Sequence, residues 1–379
     1  MRYKALAFAS GWRLWKGDLV LEAVMLVGGK GTRLRPLTAT YPKPMLPVAG
    51  VPVTEHQIAR AKEAGVGRIV LGTSYRAELF SDYFGNGERL GVDLRYVVEE
   101  VPLNTGGAIR NVASALESRP DDPVIVFNGD VLTGLDIGGL VQRWRDANAD
   151  VALYLTRVQD PRAFGLVPTD INGRVEAFLE KPQTPEEIVT DQINAGCYVF
   201  RRSLIDEIPA GRPVSAERET FPGLLERGAN VIGVVDDGYW LDLGTPLDFV
   251  TGSCDLVTGR APSPAVRRPG DFLILDSAAV APDALIDGGT TIGKKARVHA
   301  GARVSGSVIF DGAVIGEGAI VEGSVIGRSA TIGPRTVLRG VVVGDRAEIG
   351  PDNELLNGAR VFSGVRLSAA SVRFSSDQS

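Results

Sequence analysis

Residues 28 to 38 read Gly28-Gly29-Lys30-Gly31-Thr32-Arg33-Leu34-Arg35-Pro36-Leu37-Thr38, and Lys43-Pro44 follows five residues on. Three glycines without Cβ atoms let a ligand come close to the backbone and permit positive φ. Arg33, Arg35 and Lys43 add cationic donors matched to phosphate oxygens. Just upstream, Glu22 to Val27 is apolar enough to be a buried strand. A cation-rich glycine turn at the end of a first strand is where an α/β protein holds a polyphosphate. The run is not a P-loop, because no Gly-Lys-Ser/Thr closes a four-residue gap after Gly28. Nor is it a dinucleotide fingerprint, because Leu34 stands where the third glycine belongs. The plain alternative is a connecting loop whose cations are only solvated.

Two carboxylates could complete such a site. Asp130 ends Phe127-Asn128-Gly129-Asp130 after an apolar run from Val124, and Asp242 lies in Leu241-Asp242-Leu243-Gly244-Thr245-Pro246 before an expected helix. Brought to one sheet edge, they can hold one Mg2+, which takes few protein oxygens and fills its shell from substrate phosphates. Either aspartate alone is ordinarily a turn or N-cap residue. Leu103-Asn104-Thr105-Gly106-Gly107-Ala108-Ile109 is a second glycine turn, expected to open a helix reaching about Leu116. Gly106 and Gly107 would let a base or ribose approach the backbone there. Glu99 could accept from both N1–H and the 2-amino group of guanine, the alternative being a solvated glutamate at a strand end. Glu180-Lys181-Pro182 puts a cation near the cleft, and Asn194 can donate and accept at once, as sugar hydroxyls require. Taken singly, these last two are a surface lysine and a turn asparagine.

The elements that must carry these residues follow two different patterns. A chain of 379 residues exceeds the size at which one core stops growing, so two domains are expected. From Glu22 to about Gly259, short apolar runs such as Arg68-Ile69-Val70-Leu71-Gly72 and Pro123-Val124-Ile125-Val126-Phe127 read as strands buried on both faces. Between them, Thr54 to Gly65 has Ile58, Ala61 and Ala64 at helical spacing, with Thr54 as the expected N-cap and Gly65 as the stop. Strands separated by such helices give βαβ units and a mostly parallel sheet, with the ligand beyond its carboxyl ends.

A Pro- and Gly-rich stretch from Thr258 to Gly270 reads as a linker. Beyond it a six-residue pattern recurs at Ile292-Gly, Ile315-Gly, Ile326-Gly, Ile332-Gly and Val343-Gly, each with a small residue four places after the aliphatic one. That period builds a parallel β-helix, aliphatics inside and small residues at tight corners. Imperfect stretches such as Val304 to Val314 are expected to be turns or short bulges.

Composition narrows the function. Net charge is −5 without an extended basic stripe, which argues against a nucleic-acid partner. Cys197 and Cys254 cannot make a disulfide framework and suit a reducing cytoplasm. With only His56 and His299, Ser-His-Asp chemistry and histidine metal sites have little to work with. No apolar run is long enough to span a bilayer, and the first 20 residues lack a signal-peptide core.

In this order, GGKGTRLRPLT, the Lys43-Pro44 pair, LNTGGAI, FNGD, EKP, NAGCYVF and DLGTP make the chain resemble the sugar-1-phosphate nucleotidylyltransferases. It is most similar to the bacterial mannose-1-phosphate guanylyltransferases that carry a C-terminal hexapeptide β-helix. The resemblance implies a Rossmann-like α/β nucleotidyltransferase domain over residues 22–258, after an N-terminal extension over residues 1–21. A linker over 259–270 and a left-handed parallel β-helix over 271–379 would follow. It implies nucleotide binding by Leu26, Gly28, Gly29, Gly31, Thr32, Arg33, Glu99, Gly106 and Gly107. Gly165, Glu180, Lys181, Asn194 and Gly196 would hold the sugar phosphate, and Asp130 with Asp242 would hold Mg2+. Arg33, Lys43 and Asp130 would be catalytic. The implied reaction joins GTP and mannose 1-phosphate into GDP-mannose and pyrophosphate, in a cytoplasmic homo-oligomer assembled through the β-helix. Three alternatives stay open: another base or sugar on the same fold, a β-helix acyltransferase, and a silent regulatory subunit.

Overall fold

The computed structural model describes residues 20–29, 31–266 and 268–373. Of the expected extension over 1–21, residues 1–19 lie outside the described residues, and Leu21 already opens the first strand. The N-terminal half contains strands β1 (Leu21–Leu26), β2 (Val66–Thr73), β3 (Asp93–Val98), β4 (Pro123–Asn128), β5 (Val131–Thr133) and β6 (Val151–Arg157). It continues through β7 (Gly165–Leu166), β8 (Leu179–Glu180), β9 (Gln192–Arg201), β10 (Val231–Val235) and β11 (Trp240–Asp242). The helices that matter for the site are α1 (Val53–Glu63), α2 (Asn104–Asn111), α3 (Ile137–Asp146) and α4 (Pro246–Thr258).

β1 lies centrally, parallel to β2 on one side and to β4 on the other, and β3 extends the parallel run beyond β2. The long strand β9 then pairs antiparallel with β4, and its other edge takes β6, with β10 parallel outside it. Alternation along β1 builds both layers of the core. Ala23 and Met25 join Ile58 of α1 and Trp144 of α3 on one face, whereas Val24 joins Ile109 of α2 and Phe221 on the other. A strand covered on both faces must read as an unbroken apolar run, which is why β1 is visible in the sequence.

Glu22 is the polar exception in β1, with 1% of its surface exposed. Its carboxylate accepts the backbone N–H groups of Glu117 at 2.9 Å and Ser118 at 2.7 Å, and pairs with Arg68 at 3.1 Å. Removing it strands those donors where water does not reach. Glu22→Ala is therefore expected to lose about 3 kcal/mol of stability. Urea unfolding with an unchanged m-value checks this, and a loss under about 1 kcal/mol would show that Arg68 and water replace the carboxylate.

Helix α1 starts one residue before Thr54, with Pro52 at the N-cap position, so Thr54 is not the cap. Its hydroxyl instead donates to the Pro44 carbonyl at 3.0 Å, tying the helix to the Lys43-Pro44 turn. Gly65 lies just beyond the helix end with φ of +87°, the left-handed step that stops it. Helix α2 gives way at Val112–Ala115 to a 3₁₀ turn that reaches the expected end near Leu116.

The linker is fastened rather than loose. Ser263 Oγ lies 2.7 Å from His56 Nδ1, and the Gly270 N–H donates to the Val257 carbonyl at 2.8 Å. From Phe272 onward the chain coils through three parallel sheets of six, six and five strands, a left-handed parallel β-helix. Its inward aliphatics run Ile292, Val298, Val304, Ile309, Ile315, Val321, Ile326 and Ile332. The steps are six, six, then five residues, and Val308 accordingly pairs with Val325 one coil later. Val304 to Val314 is therefore not a set of turns or bulges as expected. It holds strands Arg303–Ser305 and Val308–Ile309 and reaches Val314–Ile315, all in regular register. Val304 and Ile309 are followed by Ser305 and Phe310 instead of glycine, so the aliphatic–glycine signature is missing there although the ladder continues. Glycine after the aliphatic is steric: a Cβ on Gly316 would lie 2.6 Å from the Pro334 nitrogen of the next coil.

Candidate active site

The carboxyl ends of β1, β2 and β4 open on a cleft of about 490 Å³. Leu26, Gly28, Gly29, Gly31, Thr32, Arg33 and Glu99 line it, together with Lys43 and Asp130. Lys30 lies outside the described residues. The glycine run leaves β1 through Gly28, whose carbonyl accepts from Ser74 Oγ at 2.6 Å, and turns at Gly31 with φ of +56°. A Cβ on Gly31 would sit 2.7 Å from Lys43 Cβ, so the loop closes on the lysine only because that position is glycine. Thr38 Oγ1 donates to the Gly31 carbonyl at 2.8 Å and holds the turn shut.

Gly106 and Gly107 do not line the cleft. Their absent side chains leave room for packing behind it, because Cβ atoms there would lie 2.9 Å from Thr220 Oγ1 and from the Arg212 carbonyl. The glycine pair thus lets α2 seat closely against residues 212–220. Their neighbours Asn104, Thr105 and Ala108 face the cleft, which the sequence reading missed. Thr105 Oγ1 donates to Glu217 Oε2 at 2.7 Å and accepts the Ala216 N–H at 2.9 Å.

Asp130 and Asp242 are brought together by a short antiparallel ribbon. β11 pairs with β5 so that Asp242 opposes Val131, and the Leu243 N–H donates to the Asp130 carbonyl at 3.1 Å. From α1, Gln57 Nε2 donates to the carbonyls of Asn128 and Val131 and braces the strap that carries Asp130. Lys43 Nζ then lies 2.9 Å from Asp130 Oδ2 and 3.2 Å from Asp242 Oδ1. The lysine side chain is only 7% exposed, whereas that of Arg33 is 69% exposed, with Nη2 3.9 Å from Asp242 Oδ2. Burial holds the Asp242 carboxyl above its ordinary range; Lys43 draws it back down and Asp130 pushes it up.

Two carboxylates that already converge on one cationic atom suit a hard divalent cation. Among the described residues no group of three or more His, Cys, Asp or Glu could enclose a metal. The remaining oxygens would therefore come from substrate and water, as Mg2+ prefers. Glu99 faces the same cleft, and burial raises its carboxyl while the Leu103 N–H lowers it.

The expected sugar-phosphate residues stand apart from this lining. Gly165 and Glu180 oppose each other across β7 and β8, and the exposed Lys181 has Nζ 3.6 Å from Glu180 Oε1. Asn194 donates to the Tyr198 hydroxyl at 2.8 Å and accepts the Gly196 N–H at 2.9 Å, so its amide is engaged within the irregular stretch of β9 itself. Gly196 backs onto Asn128, a cleft residue, with φ of +75°. Neither histidine reaches the cleft. His56 is buried, and desolvation lowers it to about 4 against the raising effect of the Val48 carbonyl. His299 is exposed on the β-helix.

A model of the nucleotidyl transferase family matches residues 22–259, and one of the GMPPB C-terminal domain matches residues 269–373. A mannose-1-phosphate guanylyltransferase of Mycobacterium tuberculosis is 57% identical over 359 residues, which span 94% of this chain and 98% of that protein. The catalytic subunit beta of the Drosophila melanogaster mannose-1-phosphate guanylyltransferase is 37% identical over 62% of each chain. Among solved structures, HddC from Yersinia pseudotuberculosis aligns with a TM-score of 0.53 at 28% identity, over 62% of this chain and 98% of that one. HddC complexed with GMP-PN aligns equally well.

Proposed function

The chain belongs to the nucleotidyl transferase family, and from that membership we propose that it transfers GMP from GTP to mannose 1-phosphate, releasing pyrophosphate and forming GDP-mannose. One observation carries the reading. Lys43, Asp130 and Asp242 meet beside a glycine-built loop, in a chain that aligns over 94% of its length with a mannose-1-phosphate guanylyltransferase.

In this reaction a phosphate oxygen of the sugar phosphate attacks the α-phosphorus in line, and the bond to the bridging oxygen of the leaving pyrophosphate breaks. No protein nucleophile is needed, which agrees with a cleft free of histidine and cysteine among its described residues. The chain's own task is positioning and charge neutralisation. The Gly28 to Gly31 backbone would hold the triphosphate, and Arg33, exposed at the rim, would neutralise the departing pyrophosphate. Lys43, turning from its carboxylates, would meet the α-phosphate. Mg2+ held by Asp130 and Asp242 would supply further positive charge at the α-phosphate. Glu99 would read the guanine N1–H and 2-amino donors. Lys181, Glu180, Asn194, Gly165 and Gly196 would form the sugar-phosphate side.

Both cysteines are buried and unpaired, which supports a cytoplasmic enzyme, and the flat stacked coils of the β-helix support self-association there. Among the described residues no helix is long and apolar enough to cross a membrane.

The test is a pyrophosphate-release screen that crosses four nucleoside triphosphates with mannose, glucose and heptose 1-phosphates, in Mg2+ and then in EDTA. Turnover confined to GTP with mannose 1-phosphate and abolished by EDTA is expected. Turnover with dTTP or UTP and glucose 1-phosphate would reassign the substrates. Activity unchanged by EDTA would remove Asp130 and Asp242 from the metal role.

A further inference from the structure

The β-helix touches the phosphate loop itself. Arg360, at the start of strand Arg360–Val361, sends Nη1 to the Arg33 carbonyl at 2.8 Å and to the Arg35 carbonyl at 2.9 Å. These carbonyls bracket the end of the single 3₁₀ turn, Thr32–Leu34, that carries Arg33. Two further contacts reach the next residues of the same loop. Thr40 Oγ1 donates to Asp345 Oδ2 at 3.1 Å, and the Arg328 guanidinium lies 3.8 Å above the Tyr41 ring. Beneath them, Leu34 and Leu37 join Val308, Phe310, Val325 and Val342 of the β-helix in one apolar cluster.

We propose that Arg360 is a positioning residue of the nucleotidyl-transfer site: the β-helix sets the orientation of the Arg33 guanidinium by clamping the carbonyl side of its turn. The physical case rests on what Arg360 alone adds there: Leu34 and Leu37 anchor the loop by apolar packing, and Arg360 supplies the donor for the two carbonyls on either side of Leu34. The start of the turn is fixed inside the catalytic half by Thr38 on the Gly31 carbonyl. Its other end faces the domain seam, where the Arg33 and Arg35 carbonyls, left unpaired, would turn to water and let the peptide planes beside Leu34 tilt. Charge-assisted donation by a guanidinium is stronger than a neutral hydrogen bond and geometrically stricter. A long, 69% exposed arginine side chain inherits any wobble of its backbone, and a displacement near 1 Å is enough to lose a transition-state contact. Arg360 touches no reacting atom, so its effect must pass through Arg33. On this view the β-helix braces the active-site loop from outside the cleft.

The proposal rests on the nucleotidyl-transfer reading, and the test separates the two. Arg360→Ala and Arg360→Lys are compared with the unchanged protein in steady-state kinetics. GTP binding by calorimetry is measured in the presence and absence of Arg33→Ala. Expected results are a fall of about tenfold or more in kcat/KM for GTP in Arg360→Ala, with KM for mannose 1-phosphate and the melting temperature nearly unchanged. Arg360→Lys, which can still donate to both carbonyls, should recover most of the loss. In the Arg33→Ala background, Arg360→Ala should weaken GTP binding no further. A kcat/KM for GTP within about twofold of the unchanged protein, or an equal loss of GTP binding with and without Arg33, would overturn it. Failure of the unchanged protein to release pyrophosphate with any pair of substrates would defeat the reaction assignment instead, and the GTP-binding cycle would still decide the role of Arg360.

Discussion

Asp130→Asn should lower kcat for pyrophosphate release by about a hundredfold or more while the protein stays folded. The substitution keeps shape and one acceptor oxygen but removes the negative charge that faces Lys43 at 2.9 Å. Asp130 is 44% exposed, so the change leaves no stranded buried charge, and Lys43 keeps Asp242 as a partner at 3.2 Å. The strap is independently held by Gln57 and by the Leu243 N–H, both acting on backbone atoms that the substitution does not alter. Lost turnover with an unchanged melting temperature would therefore report on chemistry at the phosphates. Stronger evidence would come from weaker Mn2+ binding in the presence of GTP, measured by electron paramagnetic resonance. Near-normal kcat would remove Asp130 from the site.

Lys43→Met is expected to act on both rate and stability, because the lysine is the buried hub of the carboxylate pair. Loss of one charge-neutralising donor at the α-phosphate predicts a kcat about a hundred- to a thousandfold lower. In EDTA, near neutral pH, the variant should also be less stable by about 1–2 kcal/mol, since the half-buried Asp242 loses its nearest cation. The pH dependence has a definite sign. A carboxyl whose pKa is raised on folding destabilises the native state above that pKa, and the penalty fades as pH falls and the group takes up a proton. Asp242 is already raised by burial, and Lys43 is its main lowering influence, so the substitution raises it further. The gap in melting temperature between the two proteins should therefore be widest near neutral pH and should narrow towards about pH 4.5. A gap that widens on acidification would contradict this account of the pair.

Some parts of the site were legible in the residues, for local reasons. Gly31 and Lys43 belong to one continuous run, and their contact follows from a turn that only glycine can make. β1 and β4 announced themselves as unbroken apolar stretches because both faces are covered. Glu99 could be placed at the cleft because it ends a strand whose neighbours were equally visible. Gly106 and Gly107 show a limit of the same kind: a missing Cβ states that something approaches, but not whether ligand or protein does. Here it is the chain at 212–220. Thr54 was misread as a cap because its hydroxyl serves the Pro44 carbonyl, a partner outside the helix.

From the order of residue types alone came the phosphate loop, its cations, the α/β alternation and the hexapeptide coil, because each is a short-range pattern of sterics and hydrophobic period. What the order of residues could not contain was which distant groups meet. The β5–β11 ribbon that joins Asp130 to Asp242 and the reach of Arg360 to the Arg33 loop both depend on long-range pairing. Such contacts arise where packed elements happen to end, and their energy is shared among residues far apart in the chain. The stretch from Val304 to Ile309 shows the same limit at a smaller scale: without glycine after the aliphatic the local pattern is missing, while pairing with the next coil keeps the parallel ladder intact.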